Sequence, residues 1–447
     1  MTVNKYIVRG ALVGALGGLL FGFDTAVISG ATVSLTRAYG LTASQLGLTV
    51  SIALLGTIVG ALGSGVLGQR YGAREVLRLT ALLYLLSALG CAFAPSWGFL
   101  LASRLLGGLG IGGSSVLSPV YIAEIAPPRL RGRLVGTFQI NIVAGILLAY
   151  LSNFLIGLLH LGLAEWRWEF GVAALPAAIF LGLLFIIPHS ARWLALQGRL
   201  EEARDVLALL GTPNPQAELD EIRASLHEQV NVKGAALFEF RKGGLRYGKP
   251  IFLAIAIAAF NQLTGINAVL YYLNDIFAAA GFSQISGSLQ AVAIGAMNLV
   301  ATVVGMALID RLGRKKLLLV GSVGTASCLS CVAAIFLLKQ HQDLLVWALV
   351  AYIAFFAVSQ GAVIWVYISE VFPTRVRGKG QSLGAGTHWT MNAIISLIFP
   401  VVAARSGAYP FIFFAAMMVL QFFVVLFFFP ETKQVSLEEL QRKLQID

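Results

Sequence analysis

Two charged residues, Asp24 and Arg104, lie inside long apolar segments of this 447-residue chain. A carboxylate in such a segment needs a partner or access to water, because its ionised form is costly in lipid. At about 1.5 Å per residue, Asp24 lies about 24 Å along its segment, and Arg104 about 9 Å along a segment of opposite direction. Since a bilayer core is about 30 Å thick, we expect both at a similar depth, where they can pair. If Arg104 withdraws in another state, Asp24 would take up and release a proton; the alternative is a static ion pair that only fixes helix packing.

Side-chain amides also lie inside apolar segments, at Gln139, Gln262, Asn267, Asn298 and Asn392. An amide in lipid needs a hydrogen-bond partner, so these side chains should face the interior of a helix bundle. Amides donate and accept without carrying charge, which suits a hydroxylated solute. The alternative is hydrogen bonding between helices.

Two tryptophans, Trp365 and Trp389, fall within such segments and not at their ends, where tryptophan is usually enriched. An indole offers an apolar face to the C–H groups of a solute and an N–H to a hydroxyl. For Trp389, core packing is an equal alternative.

The composition indicates lipid as the solvent. The chain is 58% hydrophobic and 12% charged, with a mean hydropathy of +0.82. In soluble domains, by contrast, about a quarter of the residues are charged. The net charge of +11 does not indicate nucleic acid, because a membrane protein acquires such a surplus in its cytoplasmic loops. The apolar run after Lys5 and Arg9 has no clear cleavage site, so we interpret it as an uncleaved first span. Neither a cofactor nor an enzyme's nucleophile, metal cluster or acid–base pair is indicated, and Cys328 and Cys331 are expected to pack within a span.

Twelve apolar stretches are long enough to cross a bilayer. They lie near 8–34, 46–68, 76–95, 98–121, 134–158, 168–187, 250–280, 288–310, 316–338, 344–370, 378–403 and 408–429. Residues 189–249 form the one long polar interruption, with amphipathic patterns over 199–210 and 216–230 that predict short helices outside the bilayer. Of the 32 Lys and Arg residues, 27 fall on the side of the termini, which places both termini in the cytoplasm.

The two halves of the chain repeat. The run from Tyr121 to Arg133 matches the run from Tyr367 to Lys379 at an offset of 246 residues. Repeats of this kind are typical of secondary transporters, which predicts a solute path along the interface of two six-helix bundles.

Several ordered signatures make the chain resemble the sugar porter family of the major facilitator superfamily. They are Gly17-Gly18-Leu-Leu-Phe-Gly22-Phe-Asp24, Arg104-Leu-Leu-Gly107-Gly108, Pro119-Val-Tyr121, Trp166-Arg167-Trp168, Arg192-Trp193-Leu194, Gln262-Leu-Thr-Gly265-Ile-Asn267 and Pro430-Glu431-Thr432-Lys433. The resemblance implies an all-α fold of twelve transmembrane helices in two pseudo-symmetric bundles. It also implies proton coupling, since proton-coupled sugar porters carry Asp at the place of Asp24 and facilitative ones usually carry Asn.

The resemblance further implies a set of sugar contacts: Gln139, Asn261, Gln262, Asn267, Asn298, Trp365 and Asn392. Trp389 is added to this set because of its position within a span. Three residues depart from the family pattern near this site: Asn261 replaces a glutamine, Ala362 a proline, and His388 a Gln or Asn. His189 departs at the cytoplasmic end of the sixth span, where the family pattern has Glu.

A set of charged residues at the cytoplasmic helix ends is predicted to latch an inner gate. Glu124 and Glu370 recur at the duplicated spacing, each just before a basic loop, and interfacial charge of no special role is the alternative. The set is Arg70, Arg74, Glu124, Arg129, Arg131, Arg311, Arg314, Glu370, Arg375 and Arg377.

The sequence therefore predicts bundles over 1–188 and 250–430, a cytoplasmic helical linker over 189–249 and a tail over 431–447. The expected function is symport of a monosaccharide, hexose or pentose, with a proton across a plasma or bacterial inner membrane, by a protein that works as a monomer. An uncoupled sugar or polyol transporter is one alternative, and a transporter-like sugar sensor is another.

Overall fold

The structure is a computed structural model. It describes residues 4–127, 129–231, 237–241, 244–373, 376–435, 437–444 and 446. Contacts divide the chain into two compact units. The first comprises Met1–Ser34 and Ile52–Lys233, and the second comprises Leu35–Ser51 and Gly234–Asp447.

Long apolar helices make up both halves of the chain. The first half has α1 (Lys5–Tyr39), α2 (Ala43–Tyr71), α3 (Ala73–Ala92), α4 (Trp97–Ile125), α5 (Arg131–Gly157), a 3₁₀ turn (Gly162–Ala164), α6 (Glu165–Val172) and α7 (Ala174–Leu183). The linker has α8 (Ala191–Leu196), α9 (Leu200–Leu209), α10 (Pro215–Asn231) and a minimal antiparallel hairpin of β1 (Phe240–Arg241) and β2 (Gly244–Leu245).

The second half follows the same plan. It has α11 (Gly248–Leu263), α12 (Ile266–Tyr271), α13 (Leu273–Ala279), α14 (Gln284–Leu312), α15 (Arg314–Leu338), α16 (Leu344–Phe356), a π-helix (Ala357–Gly361), α17 (Ala362–Val371), α18 (Arg377–Ala403), α19 (Tyr409–Phe428) and, in the tail, α20 (Leu437–Leu444). Within the described residues, eleven spans are long and apolar enough to cross a bilayer.

The sixth predicted span is not one continuous helix. The structure divides it into α6 and α7 at Ala173, and α7 ends at Leu183, before the predicted end at 187. Pro176 explains the break, because proline has no N–H to donate to the carbonyl of Val172 and its ring clashes with that carbonyl in a continuous helix. The predicted span near 168–187 is therefore mostly helical, but it has a break at Ala173 that the hydropathy pattern did not predict.

The three helices of the linker belong to the first unit. The predicted amphipathic helices are confirmed as α9 and α10, and α8 joins them around a small core that includes Leu194, Ala203 and Leu207. Two long-range hydrogen bonds attach this core to the unit: Asn4 Nδ2 donates to the Leu209 carbonyl at 2.9 Å, and Trp193 Nε1 donates to the Gln69 carbonyl at 3.1 Å.

Residues 35–51, which include the end of α1 and the start of α2, belong to the second unit. Gly47 explains this grouping, because its α-carbon lies against the carbonyl of Leu397 on α18, where a methyl group would overlap the oxygen.

Glycine allows α1 to lie close to α5 in the first unit. A methyl group at Gly18 would come within 2.6 Å of the Phe138 carbonyl oxygen, and one at Gly22 would overlap the carbonyl oxygen of Ile142. Small residues at four-residue spacing allow this kind of close approach between membrane helices.

Replacing Gly22 should therefore destabilise the first unit. We expect Gly22→Ala to cost about 1–3 kcal/mol, because α1 has to move away from α5 to admit the methyl group. The control is Gly63→Ala on α2, where the added methyl group meets nothing within 4 Å and removes a glycine penalty of about 1 kcal/mol. The melting temperature of the purified protein in detergent measures both, and equal melting temperatures would contradict the packing role.

Candidate functional site

Polar side chains of α11, α12 and α18 form a cluster in the second unit. Gln262 is 2% exposed and lies at its centre. Its Nε2 donates to Asn261 Oδ1 at 3.1 Å and lies 3.2 Å from Nε2 of His388, while its Oε1 accepts from Asn267 Nδ2 at 3.0 Å. Asn261 Nδ2 in turn reaches the Gln360 carbonyl at 3.5 Å. Donors and acceptors are therefore concentrated at one buried point, without a net charge.

A break between α11 and α12 creates this cluster. Gly265 has a φ of 81°, in the left-handed region that favours glycine. Thr264 Oγ1 accepts from the Ile266 N–H at 3.1 Å, which supplies a partner to a backbone donor at the start of α12. The helix is therefore interrupted at Gly265, and Asn267 on α12 contacts Gln262 on α11.

Aromatic rings flank His388 on α18. Trp365 lies 5.2 Å from it between ring centroids, and Trp389 lies 5.1 Å away in an edge-on arrangement. Trp365 is 40% exposed, whereas Trp389 is 6% exposed. Trp365 is thus the indole that can offer a face to a solute, and Trp389 is mostly enclosed by protein.

A π-helix precedes Trp365 in the tenth span. It covers Ala357–Gly361 and provides the Gln360 carbonyl that accepts from Asn261. A π-helical turn inserts an extra residue into the ladder and is frequent at functional sites. Ala362, where the family pattern has proline, follows it directly.

The remaining predicted sugar contacts lie on α18, α14 and α5. Asn392 is fully buried one turn after His388 on α18, where it donates to Tyr271 Oη at 3.2 Å and accepts from Ser396 Oγ at 3.1 Å. Asn298 is buried on α14. Gln139 is half-buried on α5 and belongs to the first unit.

Asp24 and Arg104 lie close enough in the first unit for their charges to interact. Arg104 is 3% exposed, packs on the Phe170 ring at 5.4 Å and attracts the Asp24 carboxylate. Asp24 borders a small cavity with Tyr84 and Phe170. The space open to the centre of a water molecule there is about 20 Å³, enough for one water.

A duplicated set of contacts joins the ends of the spans in each unit. In the first unit, Tyr121 Oη donates to the Pro188 carbonyl at 2.9 Å, and in the second, Tyr367 Oη donates to the Pro430 carbonyl at 3.2 Å. Next to these bonds, Ser190 donates to Glu124, and Thr432 Oγ1 donates to Glu370 at 2.6 Å. The repeat therefore preserves tertiary contacts as well as sequence.

The charged partners of the two glutamates differ from those expected from the adjacent loops. Glu370 accepts two hydrogen bonds from Arg314, at 2.8 and 3.2 Å. Glu124 is attracted to Arg192, which lies just after the sixth span. Arg314 and Glu370 were therefore both predicted as gate residues and do contact each other. Arg192, the partner of Glu124, was not in the predicted set.

The other predicted gate arginines have different surroundings. Arg131 donates to the Ala123 carbonyl at 3.1 Å, and Arg377 donates to the Phe372 carbonyl at 3.4 Å. Arg70, Arg129 and Arg311 are exposed. Arg375 lies outside the described residues.

Glu431 anchors the start of α15. Its carboxylate accepts from the backbone N–H groups of Arg314 at 3.0 Å and Lys315 at 3.1 Å, and also from Thr432 and Lys433 at 2.9 Å each. Partial burial opposes ionisation, but these four donors outweigh it and lower the pKa of Glu431. A carboxylate at a helix N-terminus is favoured by the helix dipole as well.

His189 stands in the first unit where the second unit has Glu431. An acid is still present there, because Glu75 binds Arg74 at 2.7 Å and Arg78 at 2.8 Å. His189 Nε2 lies 2.6 Å from Arg74 Nη2, and its ring stacks on Trp193 at 4.9 Å. Burial and the Arg74 guanidinium lower the pKa of His189 to about 4, although Glu75 acts in the opposite direction.

Comparisons with known proteins decide the family. A family model described as "Sugar (and other) transporter" matches residues 10–444. The chain belongs to this family of transporters. The D-xylose-proton symporter of Escherichia coli (strain K12) is 34% identical over 477 residues, covering 98% of this chain and 96% of that protein. The glucose transporter GlcP of Staphylococcus epidermidis (strain ATCC 12228 / FDA PCI 1200) is also 34% identical, covering 100% and 98%.

A solved structure extends the similarity to the fold. The inward open conformation of the xylose transporter XylE from E. coli matches this transporter with a TM-score of 0.86 and 32% identity, covering 98% of this chain and 99% of that chain. The predicted family, the major facilitator fold and the interpretation as a transporter and not an enzyme are confirmed.

Sequence reasoning missed the central position of His388 and the roles of Glu75 and Arg192. In the sequence, His388 stands out only as a departure from the family pattern. Arg192 belongs to the Arg192-Trp193-Leu194 signature. Pro188 and Pro430 are separated by the same number of residues as Ser190 and Thr432, which relates the two hydroxyl residues. That second offset was the signal that could have identified the duplicated hydroxyls.

Stability of this transporter should depend on pH through His189. Its pKa is about 4 in the folded protein and about 6.5 when unfolded, so the unfolded chain binds more protons in between. Stability should therefore fall as the pH is lowered from about 6.5 to about 4. His189→Gln should lose this component, which melting temperatures of both proteins across that range would detect. His160→Gln, in an exposed loop, serves as the control, and parallel curves for the wild type and His189→Gln would contradict the pKa shift.

Proposed function

We propose that this transporter carries a monosaccharide, hexose or pentose, together with a proton by alternating access. The observation that carries the proposal is the attraction between the Asp24 carboxylate and the buried Arg104. A buried acid with a basic partner is the arrangement that proton-coupled transporters use to change protonation state. Two of its relatives are named for the transport of monosaccharides, one as a D-xylose-proton symporter and one as a glucose transporter.

The pocket supports a protonation cycle and not only helix packing. Arg104 stabilises the ionised carboxylate, whereas the low polarity of burial disfavours it. Asp24 also keeps part of its surface accessible and borders a space for one water. Burial is the larger of these two effects, and Arg104 opposes it. A movement of Arg104 away from Asp24 would remove that opposing attraction, so the carboxyl group would take up a proton.

The cluster around Gln262 is the proposed sugar site in the second unit. Its amides exchange hydrogen bonds with one another and with His388. A sugar hydroxyl can replace such a bond without leaving a buried polar group unsatisfied, because it both donates and accepts. The half-exposed face of Trp365 lies beside this cluster, next to His388. Gln139, Asn298, Trp389 and Asn392 are proposed as further contacts.

The charged clusters at the helix ends are proposed as the cytoplasmic gate. The proposal now centres on Glu370 with Arg314, and on Glu124 with Arg192. Both termini are proposed to lie in the cytoplasm, because the large majority of basic residues fall on their side. A bacterial inner or plasma membrane and a functional monomer complete the proposal.

Uptake by proteoliposomes tests the function. The purified protein should accumulate a labelled pentose or hexose when the outside is made more acidic by about one pH unit. Accumulation can reach about tenfold for one proton per sugar, since one pH unit corresponds to about 1.4 kcal/mol. Protein-free liposomes are the control. Uptake that only equilibrates would indicate an uncoupled carrier, and no uptake of any monosaccharide would exclude the proposal.

Replacement of Asp24 tests the coupling itself. In Asp24→Asn the side chain keeps its size but no longer titrates, so proton-driven accumulation should vanish. Exchange of labelled for unlabelled sugar should continue, because it needs no net proton movement. The same liposomes serve for both measurements. If Asp24→Asn still accumulates sugar against its gradient, Asp24 is not the coupling residue.

A further inference from the structure

Glu169 is a buried acid that the proposed coupling pair does not use. It lies on α6 and is 1% exposed. No described hydrogen bond reaches its Oε2. A buried carboxylate oxygen without a donor is costly, because it loses its hydration and gains no hydrogen bond in exchange.

Asn153 on α5 lies in the same small space. A methyl group built on Gly30 would meet both Glu169 Oε1 and, at 2.6 Å, Asn153 Nδ2. The amide donates from Nδ2 to the Val27 carbonyl at 3.1 Å, but no described donor reaches its Oδ1. Two acceptor oxygens in the same buried region, one on each side chain, therefore have no described hydrogen-bond donor.

One proton on Glu169 resolves this shortage. A carboxylic acid has an O–H group that can donate, whereas a carboxylate can only accept. The protonated Glu169 can donate to the Asn153 Oδ1, so a single proton satisfies both oxygens and removes the buried charge. An unsatisfied buried acceptor costs about 1–3 kcal/mol. Protonation of Glu169 removes this cost at both Glu169 Oε2 and Asn153 Oδ1, so the protonated form is favoured.

The surrounding charges do not supply an alternative. Glu165, on α6 itself, repels a negative charge on Glu169. Arg167, also on α6, packs over the Trp166 ring at 4.2 Å and donates to the Ala92 carbonyl on α3. Arg104 on α4 packs on Phe170 and attracts Asp24 on α1. The side chain that α5 contributes, Asn153, is uncharged.

Glu169 is close to the coupling pair along two elements. Its neighbour Phe170 borders the Asp24 cavity and packs on Arg104. On α1, Gly30 comes six residues after Asp24, a distance of about 9 Å along a helix.

We propose that Glu169 is a second proton-binding site, which holds a proton against Asn153 in this conformation and exchanges it with Asp24. The second half of this statement rests on the proposed function. On uptake, an O–H bond forms at Glu169 Oε2 as one breaks in a hydronium ion. On transfer, that O–H bond breaks and one forms on the Asp24 carboxylate, with intervening water carrying the proton.

Infrared spectroscopy tests the protonation directly. At neutral pH the wild-type protein should show a C=O band of a protonated carboxyl group that Glu169→Gln lacks and Glu165→Gln retains. The glutamine has the same shape and its NH₂ can donate to Asn153, so folding should be preserved. In Asn153→Ala the band should remain at a shifted frequency, which keeps the test valid if Glu169→Gln fails to fold. Identical spectra of wild type and Glu169→Gln, or of wild type and Asn153→Ala, would overturn the assignment.

Proteoliposome uptake tests the exchange with Asp24. Glu169→Gln should reduce proton-driven accumulation by roughly fivefold or more, while sugar exchange changes by less than about twofold, because only the proton path is altered. Glu165→Gln, which removes an acid one turn away, should accumulate sugar like the wild type. Unchanged accumulation in Glu169→Gln would overturn the role in transport. If the wild type itself shows no proton-driven uptake, the proposed function fails, whereas the infrared result still decides whether Glu169 binds a proton.

Discussion

A hydrocarbon bilayer has no hydrogen-bond partner for a polar group, so every amide, hydroxyl and charge within the spans of this transporter must be satisfied by protein or by water. This constraint explains why the polar residues occur in clusters. Gln262 has bonds to Asn261, Asn267 and His388, and Asn392 has bonds to Tyr271 and Ser396. A site that satisfies its own amides can exchange those bonds for the hydroxyls of a sugar at little cost.

The same constraint acts on the charges. Arg104 is almost fully buried and is tolerated because Asp24 and the Phe170 ring face it. Glu169 is buried to a similar extent, but its surroundings provide an amide acceptor in place of a base. The two acids therefore have different surroundings within one unit: Asp24 has a cation beside it, and Glu169 has an uncharged amide.

Irregular backbone occurs where these polar groups lie. Gly265 divides the seventh span between Gln262 and Asn267, and the π-helix of the tenth span ends just before Ala362. At the helix ends, the duplicated Tyr–Pro bonds and the paired Ser190 and Thr432 hydroxyls show that the repeat was preserved through tertiary contacts. His189 and Glu431 depart from that symmetry, and Glu75 supplies the acid in the first unit.

Much of the fold could be predicted because its signals are local. About 20 consecutive apolar residues suffice to define a span, and the runs around Tyr121 and Tyr367 identify the repeat without any structure. The similar depth expected for Asp24 and Arg104 followed from helix rise alone, and in the structure the guanidinium of Arg104 attracts the Asp24 carboxylate. The break in the sixth span escaped the prediction because hydropathy measures solvent preference and not helix continuity, although Pro176 was visible in the sequence.

The partners of each side chain were decided only by tertiary structure. Glu124 and Glu370 are followed by arginines in the sequence, yet they contact Arg192 and Arg314, which other helix ends bring to them. The central place of His388 and the shared space of Glu169 and Asn153 likewise depend on the rotation of α5, α6 and α18 about their axes. In a chain this apolar the sequence by itself determined which segments enter the bilayer and which residues need a partner there. Which partner each one has is a matter of helix packing, because the contacting residues are separated by tens to hundreds of positions along the chain.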